Sequence, residues 1–567
     1  MLDRAPNRAL PRHVADTYAD ALVELDPILG TYLGMQESHG HLPDFSPEGL
    51  NAQAALIRST LRRLDQAQAQ PGAEHADERR CARLLKERLS AELAVLDAGE
   101  GLRAISNINL NSPVHAMRDI FSLTPTASDE DWEAVLQRLR AVPDALAGYR
   151  RSLERGMEQQ LVAGPRQVGA AIVQLNDWVG GTRPGLGWFA DFAGAGPTVL
   201  QPELSSAAKG ADAAVDELRV WLSEVYAPAA ASVPDAVGRE RYSVWARYWT
   251  GSNLDLDETY EYGWSEFHRL LGEMRMEAER ILPGAATPWE ALDHLKEHGT
   301  VIEGLDTVRD WLQSLMDEAI TKLDGTYFEL AEPVRRVQSM IAPAGGAAAP
   351  YYTEPSMDFS RPGRTWLPTM GATRFPIFDL VSTWYHEGVP GHHLQLAQWT
   401  YLGSQLSRYQ TMVGMVGANT EGWALYAERL MDELGFLGDA ERRLGYLDAQ
   451  MMRSIRVIID IGMHLGLPIP ASSPFRPGER WTPVLAQGFF AKHSGRPFGF
   501  VQSEMVRYLG APGQAIGYKL GERAWLRGRE AARRNRGNTF NLKNWHMAAL
   551  SLGSLGLDDL EAELSSL

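Results

Sequence analysis

The chain has 567 residues, of which 44% are hydrophobic and 22% are charged. This length exceeds the size at which one compact core usually stops growing, and the composition is that of a globular protein rather than a disordered one. The 72 acidic residues outnumber the 55 basic residues, which gives a net charge of −17 and disfavours nucleic acid and anionic membranes as partners.

Cys81 is the single cysteine of the sequence. An intramolecular disulfide framework and a thiolate zinc cluster are therefore excluded. The amino-terminal segment MLDRAPNRALPRHVADTYADAL lacks the apolar core of a signal peptide, and no run reaches the roughly 18 apolar residues of a membrane span. We therefore expect a cytoplasmic protein with no membrane partner.

Most of the chain carries the periodicity of amphipathic helices. Apolar residues recur at spacings of three and four, with charges on the other face, in segments 75–97, 129–160, 212–226, 257–281 and 306–324. We therefore predict a mainly α fold, a large helical body with few strands.

Strand patterns are scarce, and the best candidate lies within residues 327–342. The small-residue run APAGGAAAP, residues 342–350, is typical of a linker. The polar segment YYTEPSMDFSRPGRTWLP, residues 351–368, predicts a loop or a short hairpin. We therefore predict a helical scaffold and cleft wall over residues 1–341 and a catalytic helical region over residues 342–567, the two forming one intertwined body.

The segment WYHEGVPGHHLQLAQW, residues 384–399, begins like a zinc-peptidase helix. In the motif HExxH, two histidines one helical turn apart share a zinc ion, and the glutamate between them activates water. Here Glu387 follows His386, but the fourth residue after His386 is Pro390, which would collide with the His386 carbonyl in a regular helix. The helix must therefore break, and a bulge at the Pro-Gly pair would return a later histidine to the metal.

Two histidines follow the break, His392 and His393. At about 100° per residue, His393 returns to within roughly 20° of His386, whereas His392 lies about 120° away. This calculation assumes the unbroken helix that the proline forbids. Periodicity alone therefore leaves both histidines as candidates.

The segment resembles the signature of a bacterial family known as domain of unknown function 885, predicted metallopeptidases with HE, two variable residues and then PGHH. Thimet oligopeptidase and carboxypeptidase Taq, which are helical metallopeptidases, have a shorter version with HE, one residue and then GH. The stretches YYTEPSMDFSRPG, TEGWALYAERL and RYLGAPGQAIGYKLG resemble the same family in the same order, so the resemblance covers nearly the whole chain. One departure is the LGLPIP that follows RVIIDIGMH, where the family often has a Trp-containing turn.

Matching GH to GH makes His392 the second metal ligand and leaves His393 beside the ligands without binding the metal. The resemblance implies Glu421 as the third ligand, because catalytic zinc usually takes three protein ligands. We expect Thr420 to cap a helix whose first turn carries Glu421. Glu428, two turns further on, is either a hydrogen-bond partner of a ligating histidine or a surface charge.

Further catalytic candidates lie downstream. Peptidases of this architecture stabilise the oxyanion with a Tyr or His side chain, and Tyr518 is the first choice, with a core aromatic as the alternative. His464 follows Asp460 by four residues, so the two can pair along one helix face, either for catalysis or within the core.

Arg456, Arg507 and Lys519 are candidates for holding a substrate carboxylate, with a plain surface cation as the alternative for each. The sequence thus predicts a one-zinc hydrolase with a deep cleft that cleaves short peptides, with Glu387 as the general base. The alternatives are a metal-dependent amide hydrolase or lyase acting on a small metabolite, and a metal-binding protein without catalysis. Neither the physiological substrate nor the oligomeric state follows from the sequence.

Overall fold

The computed structural model describes residues 9–181, 187–343 and 349–567. These residues form mainly α-helices with a few short strands, which confirms the predicted fold class. None of the described helices is both long enough and apolar enough to cross a membrane.

The helices α1 to α23 account for most of the described residues. In chain order they are Pro11–Leu25, Pro27–Tyr32, Pro47–Gln68, Ala76–Asp97, Pro113–Leu123, Asp129–Glu158, Pro165–Trp178, Trp188–Ala193, Gln201–Trp221, Ala227–Ala230, Arg239–Thr250, Leu256–Ile281, Pro288–His298, Leu305–Leu323, Ile377–Glu387, His392–Tyr401, Gly417–Glu433, Ala440–Leu465, Pro483–Lys492, Phe498–Gly510, Gly517–Arg536, Leu542–Leu550 and Leu557–Ser566. Each of the five segments predicted from periodicity overlaps one of these helices: α4, α6, α9, α12 and α14.

The strands β1 to β5 are Val301–Glu303, Val337–Ile341, Tyr351–Thr353, Gly363–Leu367 and Arg374–Pro376. β1 pairs antiparallel with β5. β4 is the middle strand of a second sheet, parallel to β2 and antiparallel to β3. The predicted strand is therefore β2, and the predicted hairpin is β3 with β4.

The chain forms two compact units, each assembled from three segments. Unit 1 comprises Met1–Ala73, Leu89–Trp245 and Gln502–Pro512, and unit 2 comprises Glu74–Arg88, Ala246–Val501 and Gly513–Leu567. This division differs from the predicted boundary at residues 341 and 342. The predicted linker follows β2 and precedes β3, and both strands pair with β4 inside unit 2; residues 344–348 of the linker lie outside the described ranges.

Unit 1 has its apolar core along α6 and α9. The hydroxyl of Ser128 accepts from the backbone N–H of Asp131, whose carboxylate accepts in return from the N–H of Ser128. This capping box fixes the start of α6. Val135, Leu139 and Leu153 then recur on one face of α6 and are fully buried, so the amphipathic pattern read from the sequence becomes the core face of this helix.

Unit 2 is organised around α18, which packs against α12, α15 and α21. The carboxylate of Asp439 caps its amino end by accepting from the backbone N–H of Arg442, and Gly466 ends it with a φ of 60°. Between Leu444 and His464 every residue except Arg453 is buried. α18 is therefore the central helix of unit 2, and it carries charged side chains into the interior.

α17 and α21 cross at a point where both helices have glycine. A Cβ added to Gly422 would lie 2.4 Å from backbone atoms of Gly521, and a Cβ added to Gly521 would lie 1.9 Å from the carbonyl oxygen of Ala418. Contact between the two backbones is possible because neither glycine has a side chain. This crossing fixes the first two turns of α17, where Glu421 lies.

Candidate metal centre

The first part of the site lies where α15 ends and α16 begins. α15 stops at Glu387 and α16 starts at His392. Between them the backbone N–H of Gly391 donates to the Tyr385 carbonyl at 2.9 Å. A Cβ added to Gly391 would lie 1.9 Å from the His386 carbonyl oxygen. Only glycine permits so close a backbone approach, and the predicted helix break at the Pro-Gly pair is confirmed.

α17 holds this break in place. The indole N–H of Trp423 donates to the carbonyls of Pro390 and Gly391, each at 3.0 Å. In addition, the Gln395 amide of α16 donates to the side-chain oxygen of Asn419 at 3.2 Å. Because all of these groups are buried, their hydrogen bonds define one geometry for the break.

His386, His392 and Glu421 converge on one point. One ligand atom from each lies within 4.8 Å of the other two. The Oε2 atom of Glu421 is 3.2 Å from Nε2 of His386 and 3.8 Å from Nε2 of His392. The two imidazole rings are nearly perpendicular at 84°, with centroids 4.9 Å apart. Two imidazole nitrogens and one carboxylate oxygen form a donor set used by catalytic zinc.

Glu387 faces the same point from the end of α15. Its two carboxylate oxygens lie 4.0 Å from Nε2 of His386 and 4.0 Å from Nε2 of His392. Its side chain is 13% exposed. Glu387 is therefore beside the three converging ligand atoms without belonging to them, which is where a group that moves protons would lie.

The bonding of His392 fits a metal ligand. Its Nδ1 atom is buried without a hydrogen-bond partner among the described residues, and its Nε2 atom is beyond hydrogen-bond distance of both Glu421 and Glu387. Burial lowers the pKa of His392 to about 4, so the ring is neutral. A neutral imidazole with no hydrogen bond at either nitrogen can hold its proton on Nδ1 and offer the Nε2 lone pair to a cation.

Glu428 orients His386 from behind. The Nδ1–H group of His386 donates to Oε1 of Glu428 at 2.7 Å, and the Ser382 hydroxyl donates to Oε2 at 2.5 Å. Glu428 is fully buried, so its reading as a surface charge is wrong. Since Nδ1 directs its proton at Glu428, Nε2 faces the cluster. A carboxylate behind a metal-binding histidine commonly has this role.

A positive charge is favoured at this point. Burial opposes protonation of His386, but the hydrogen bonds to Glu421 and Glu428 outweigh burial and raise its pKa to about 10. Burial raises the pKa of Glu387 to about 8, partly offset by the charge on His386. For Glu421, burial is outweighed chiefly by the hydrogen bond from His386, and its pKa falls to about 2. The ionised carboxylates of Glu421 and Glu428 therefore stabilise a cation at this point.

His393 points away from this cluster. Its Nε2–H donates to the Val334 carbonyl at 2.7 Å, and its Nδ1 accepts from the Tyr352 hydroxyl at 2.9 Å. Burial lowers its pKa to about 4, so the ring is neutral and both nitrogens have partners. Of the two histidines that periodicity left open, the structure places His392 in the cluster and His393 in the packing against Val334 and Tyr352.

The start of α17 differs from the prediction. The helix begins at Gly417, so Thr420 is not the cap and Glu421 is not in the first turn. The Thr420 hydroxyl donates back to the Gly417 carbonyl at 3.1 Å, a bond made inside a helix. Asn419 does not cap the helix either, since its side-chain amide donates to the Leu555 carbonyl.

Tyr518 and Arg456 lie together. The guanidinium carbon of Arg456 is 5.0 Å from the centre of the Tyr518 ring, and Tyr518 is half-buried. The residue before Tyr518, Gly517, lies against Ala418 of α17. Tyr518 is therefore near the same end of α17 as Glu421, and its role as an oxyanion donor stays a prediction.

His464 and Asp460 are paired as their spacing predicts. Nε2 of His464 is 3.7 Å from Oδ1 of Asp460, and both side chains are fully buried. The other carboxylate oxygen of Asp460 accepts from the backbone N–H of Gly513 at 2.9 Å. These contacts tie α18 to the segment before α21, and neither residue belongs to the converging ligand atoms.

Two of the predicted carboxylate-binding cations already have protein partners. The Nζ group of Lys519 is fully buried and donates to Gln450 and Glu522, with Glu266 at 3.1 Å. Arg507 directs its fork at one carboxylate, that of Glu504, with bonds of 2.8 and 2.7 Å. The alternative hypothesis, a plain surface cation, therefore applies to neither residue. Lys519 also has no donor left for a substrate.

Sequence reasoning missed two residues of the site, Ser382 and Arg453. Ser382 precedes His386 by four residues and so shares its helix face, a signal that the sequence contains. Nη2 of Arg453 lies 3.6 Å from Oε1 of Glu428. Nothing in the sequence separates Arg453 from Arg456, three residues further along the same helix.

Solved structures share this fold over nearly the whole chain. A candidate lipoprotein from Colwellia psychrerythraea aligns with a TM-score of 0.81 and 22% identity, covering 98% of each chain. A candidate lipoprotein of unknown function from Shewanella oneidensis aligns with a TM-score of 0.73 and 17% identity, covering 98% of this chain and 99% of that one. No curated protein sequence matches the chain.

At the level of families, the model described as bacterial protein of unknown function, DUF885, matches residues 27–564. This match spans nearly all of the chain, including α15, α16 and α17 with the converging side chains. The protein therefore belongs to the DUF885 family.

Proposed function

We propose that this protein is a zinc-dependent hydrolase that cleaves peptide bonds in short peptides. One observation carries the proposal: His386, His392 and Glu421 present three ligand atoms within 4.8 Å of one another, and the carboxylate of Glu387 lies 4.0 Å from both imidazoles. Three ligands with an adjacent free carboxylate are the components of a zinc hydrolase site.

Nε2 of His386, Nε2 of His392 and Oε2 of Glu421 would hold the ion. When bound, zinc supplies Lewis-acid activation of water and of the substrate carbonyl. Glu428 keeps the Nδ1 proton of His386 directed away from the cluster, so Nε2 already faces the ion and would act as a ligand once it gives up its own proton. Because Glu428 and His386 are both buried, bulk water does not compete for this hydrogen bond.

Glu387 is the proposed general base. Its carboxylate accepts a proton from the attacking water and then delivers this proton to the leaving amine, as a positioned carboxylate does in amide hydrolysis. Among the described residues, Glu387 is the carboxylate that faces both imidazoles while lying outside the ligand set.

Short peptides are the proposed substrates because the site is largely covered. The side chains of His386, His392, Glu387 and Glu421 are between 4% and 27% exposed. A folded protein surface reaches groups this deeply buried poorly, whereas an extended chain of a few residues reaches them readily. The PGHH signature, which resembles that of helical oligopeptidases, favours the same substrate class.

Elemental analysis and a peptide digest test the proposal. The purified protein should hold about one zinc per chain, and His386→Ala and Glu421→Ala should each lower this content because a ligand is lost. Glu387→Gln should keep zinc and fold while losing turnover, because an amide does not accept the proton. Asp379→Asn is the matched control, since it makes the same chemical change on the exposed start of α15.

Full zinc content in both ligand variants would reject the ligand set. Unchanged turnover in Glu387→Gln would remove Glu387 from the mechanism. A wild-type protein that binds zinc but cleaves no member of a broad peptide library would instead favour a small-metabolite amidase or a metal-binding protein without catalysis.

A further inference from the structure

Arg453 lies beside the candidate metal centre. Its Nη2 atom is 3.6 Å from Oε1 of Glu428, the same oxygen that accepts the hydrogen bond from His386. Its positive charge stabilises the ionised carboxylate of Glu428. The guanidinium is therefore linked to the proposed ligand His386 through one shared carboxylate oxygen.

The guanidinium of Arg453 has no hydrogen-bond partner in the part of the chain that the structure describes. Its side chain is 12% exposed, and its Nε atom is buried and unpaired. The contact with Glu428, at 3.6 Å, is an ion pair that is too long for a hydrogen bond. The buried Nε–H is a charged donor, and leaving it unbonded in an interior is unfavourable. Such a group is expected to gain its partner from a bound molecule.

Of the three cations predicted from the sequence, Arg456 lies over the Tyr518 ring, and the other two already bind carboxylates of the protein. Lys519 has three protein partners, and Arg507 directs its fork at Glu504. An arginine whose donors are unbonded presents a planar fork that fits a carboxylate with two parallel bonds. A carboxylate is the anionic group that a peptide or an acylated amino acid carries at its end.

We propose that Arg453 binds a carboxylate of the substrate, so that the site selects peptides with a free carboxylate close to the cleaved bond. This assignment rests on the proposed function for its substrate class. Its alternatives are that Arg453 stabilises the oxyanion of the attacked carbonyl, or that it only balances the charge of Glu428. The three roles predict different measurements.

Matched peptide pools with free and amidated carboxyl ends separate these roles. Arg453→Met and Arg453→Lys should each lower kcat/KM on the free-acid pool by about tenfold to a hundredfold, mainly through KM, because a charge-assisted bidentate pair is lost. Rates on the amidated pool should change by less than about threefold. Arg442→Met, on the partly exposed first turn of α18, is the matched control.

Each other outcome overturns the assignment. An equal fall in kcat for both pools would make Arg453 an oxyanion donor. A loss of zinc in Arg453→Met, with the free-acid preference intact in the remaining activity, would make Arg453 a charge partner of Glu428. Unchanged kinetics in both variants would leave it no role in substrate binding.

A binding measurement keeps this test separate from the proposed hydrolysis. Titration calorimetry of the zinc-loaded protein with N-acetylalanine and with its amide should show tighter binding of the acid by about tenfold or more, and Arg453→Met should abolish the difference. If this preference is found but no peptide is cleaved, the hydrolase proposal fails and the carboxylate site stands. Equal binding of the two compounds, or binding of neither, refutes the role of Arg453.

Discussion

Replacing Glu428 by glutamine removes one charge from behind His386 while keeping the shape of the side chain. The wild-type carboxylate accepts from Nδ1–H of His386 at 2.7 Å and from the Ser382 hydroxyl at 2.5 Å. A glutamine can still accept from the imidazole through its carbonyl, and its amide can donate to the hydroxyl. The substitution therefore isolates the contribution of the charge to metal binding.

The expected loss of zinc affinity follows from the strength of the hydrogen bond between residue 428 and His386. A hydrogen bond to a charged group contributes about 1.5 to 3 kcal/mol and a neutral one about 0.5 to 1.5 kcal/mol, so the bond to His386 should weaken by about 1 to 1.5 kcal/mol. This difference corresponds to a zinc affinity lower by about tenfold. Glu428→Ala, which also leaves the Nδ1–H group and the Ser382 hydroxyl without their acceptor, should lower it by up to about a hundredfold.

Competition for zinc against a chromophoric chelator at neutral pH measures these affinities. The control is Glu433→Gln, an identical chemical change on the same helix, where the exposed carboxylate pairs with Arg529. A zinc affinity in Glu428→Gln equal to that of the control would refute the idea that Glu428 supports the metal through His386. A collapse of the fold without zinc would instead indicate a purely structural role, and circular dichroism of the metal-free variant tests this.

Three further outcomes are expected. His392→Ala should lose zinc by elemental analysis. His393→Ala should keep zinc and lower the free energy of unfolding by roughly 1 to 3 kcal/mol, because it leaves the buried Val334 carbonyl unpaired. The reverse result contradicts the ligand set. Gly391→Ala should destabilise the fold by roughly 3 kcal/mol or more in urea titrations, because its Cβ would lie 1.9 Å from a carbonyl oxygen, whereas Gly417→Ala, with open space around it, should not. Burial lowers the pKa of His546 to about 3, so below pH 6.5 the unfolded chain binds a proton that the folded chain does not, and the free energy of unfolding decreases as the pH is lowered. His546→Gln should therefore lose about 2 kcal/mol less stability than the wild type between pH 7 and pH 5. An equal loss in the two proteins would refute this.

Long helices were predictable from the sequence because their signals are local. The segments 257–281 and 306–324 agree with α12 and α14 to within one residue at each end, since periodic burial and a cap such as Asp255 determine those ends. The division of the chain was less predictable. Small residues between β2 and β3 look like a domain linker, but pairing with β4 is a long-range contact that composition does not contain.

In the candidate site, the residues of α15 were predictable from their spacing, whereas Glu421, on another helix, was implied only by the family resemblance. His386, Glu387 and the break before His392 follow from the chemistry of proline and from residue spacing. The choice of His392 over His393 depends on the backbone between two helices: sequence periodicity left both open, and the family resemblance implied His392. The cytoplasmic location, the peptide substrate and the bound zinc stay predictions.

The roles of the two arginines of α18 were also not predictable from the sequence. Arg453 and Arg456 lie three residues apart on α18, and both are plausible partners for a carboxylate by composition. In the structure Arg456 stacks over Tyr518, whereas Arg453 approaches Glu428. Which of them faces the metal cluster depends on the orientation of α18 about its own axis relative to α15 and α17. Packing along the whole helix determines this orientation.

α17 joins the parts of the site that the helix break separates. Within eight residues it supplies Glu421 to the ligand cluster, Trp423 to the carbonyls of the break and Glu428 to His386. A regular HExxH helix positions both histidines by its own hydrogen bonds. Here the two histidines stand on different helices, so their relative position depends on these contacts with α17. The glycine crossing of α17 with α21 therefore affects the site as well as the fold, because the position of α17 determines its distance from both histidines.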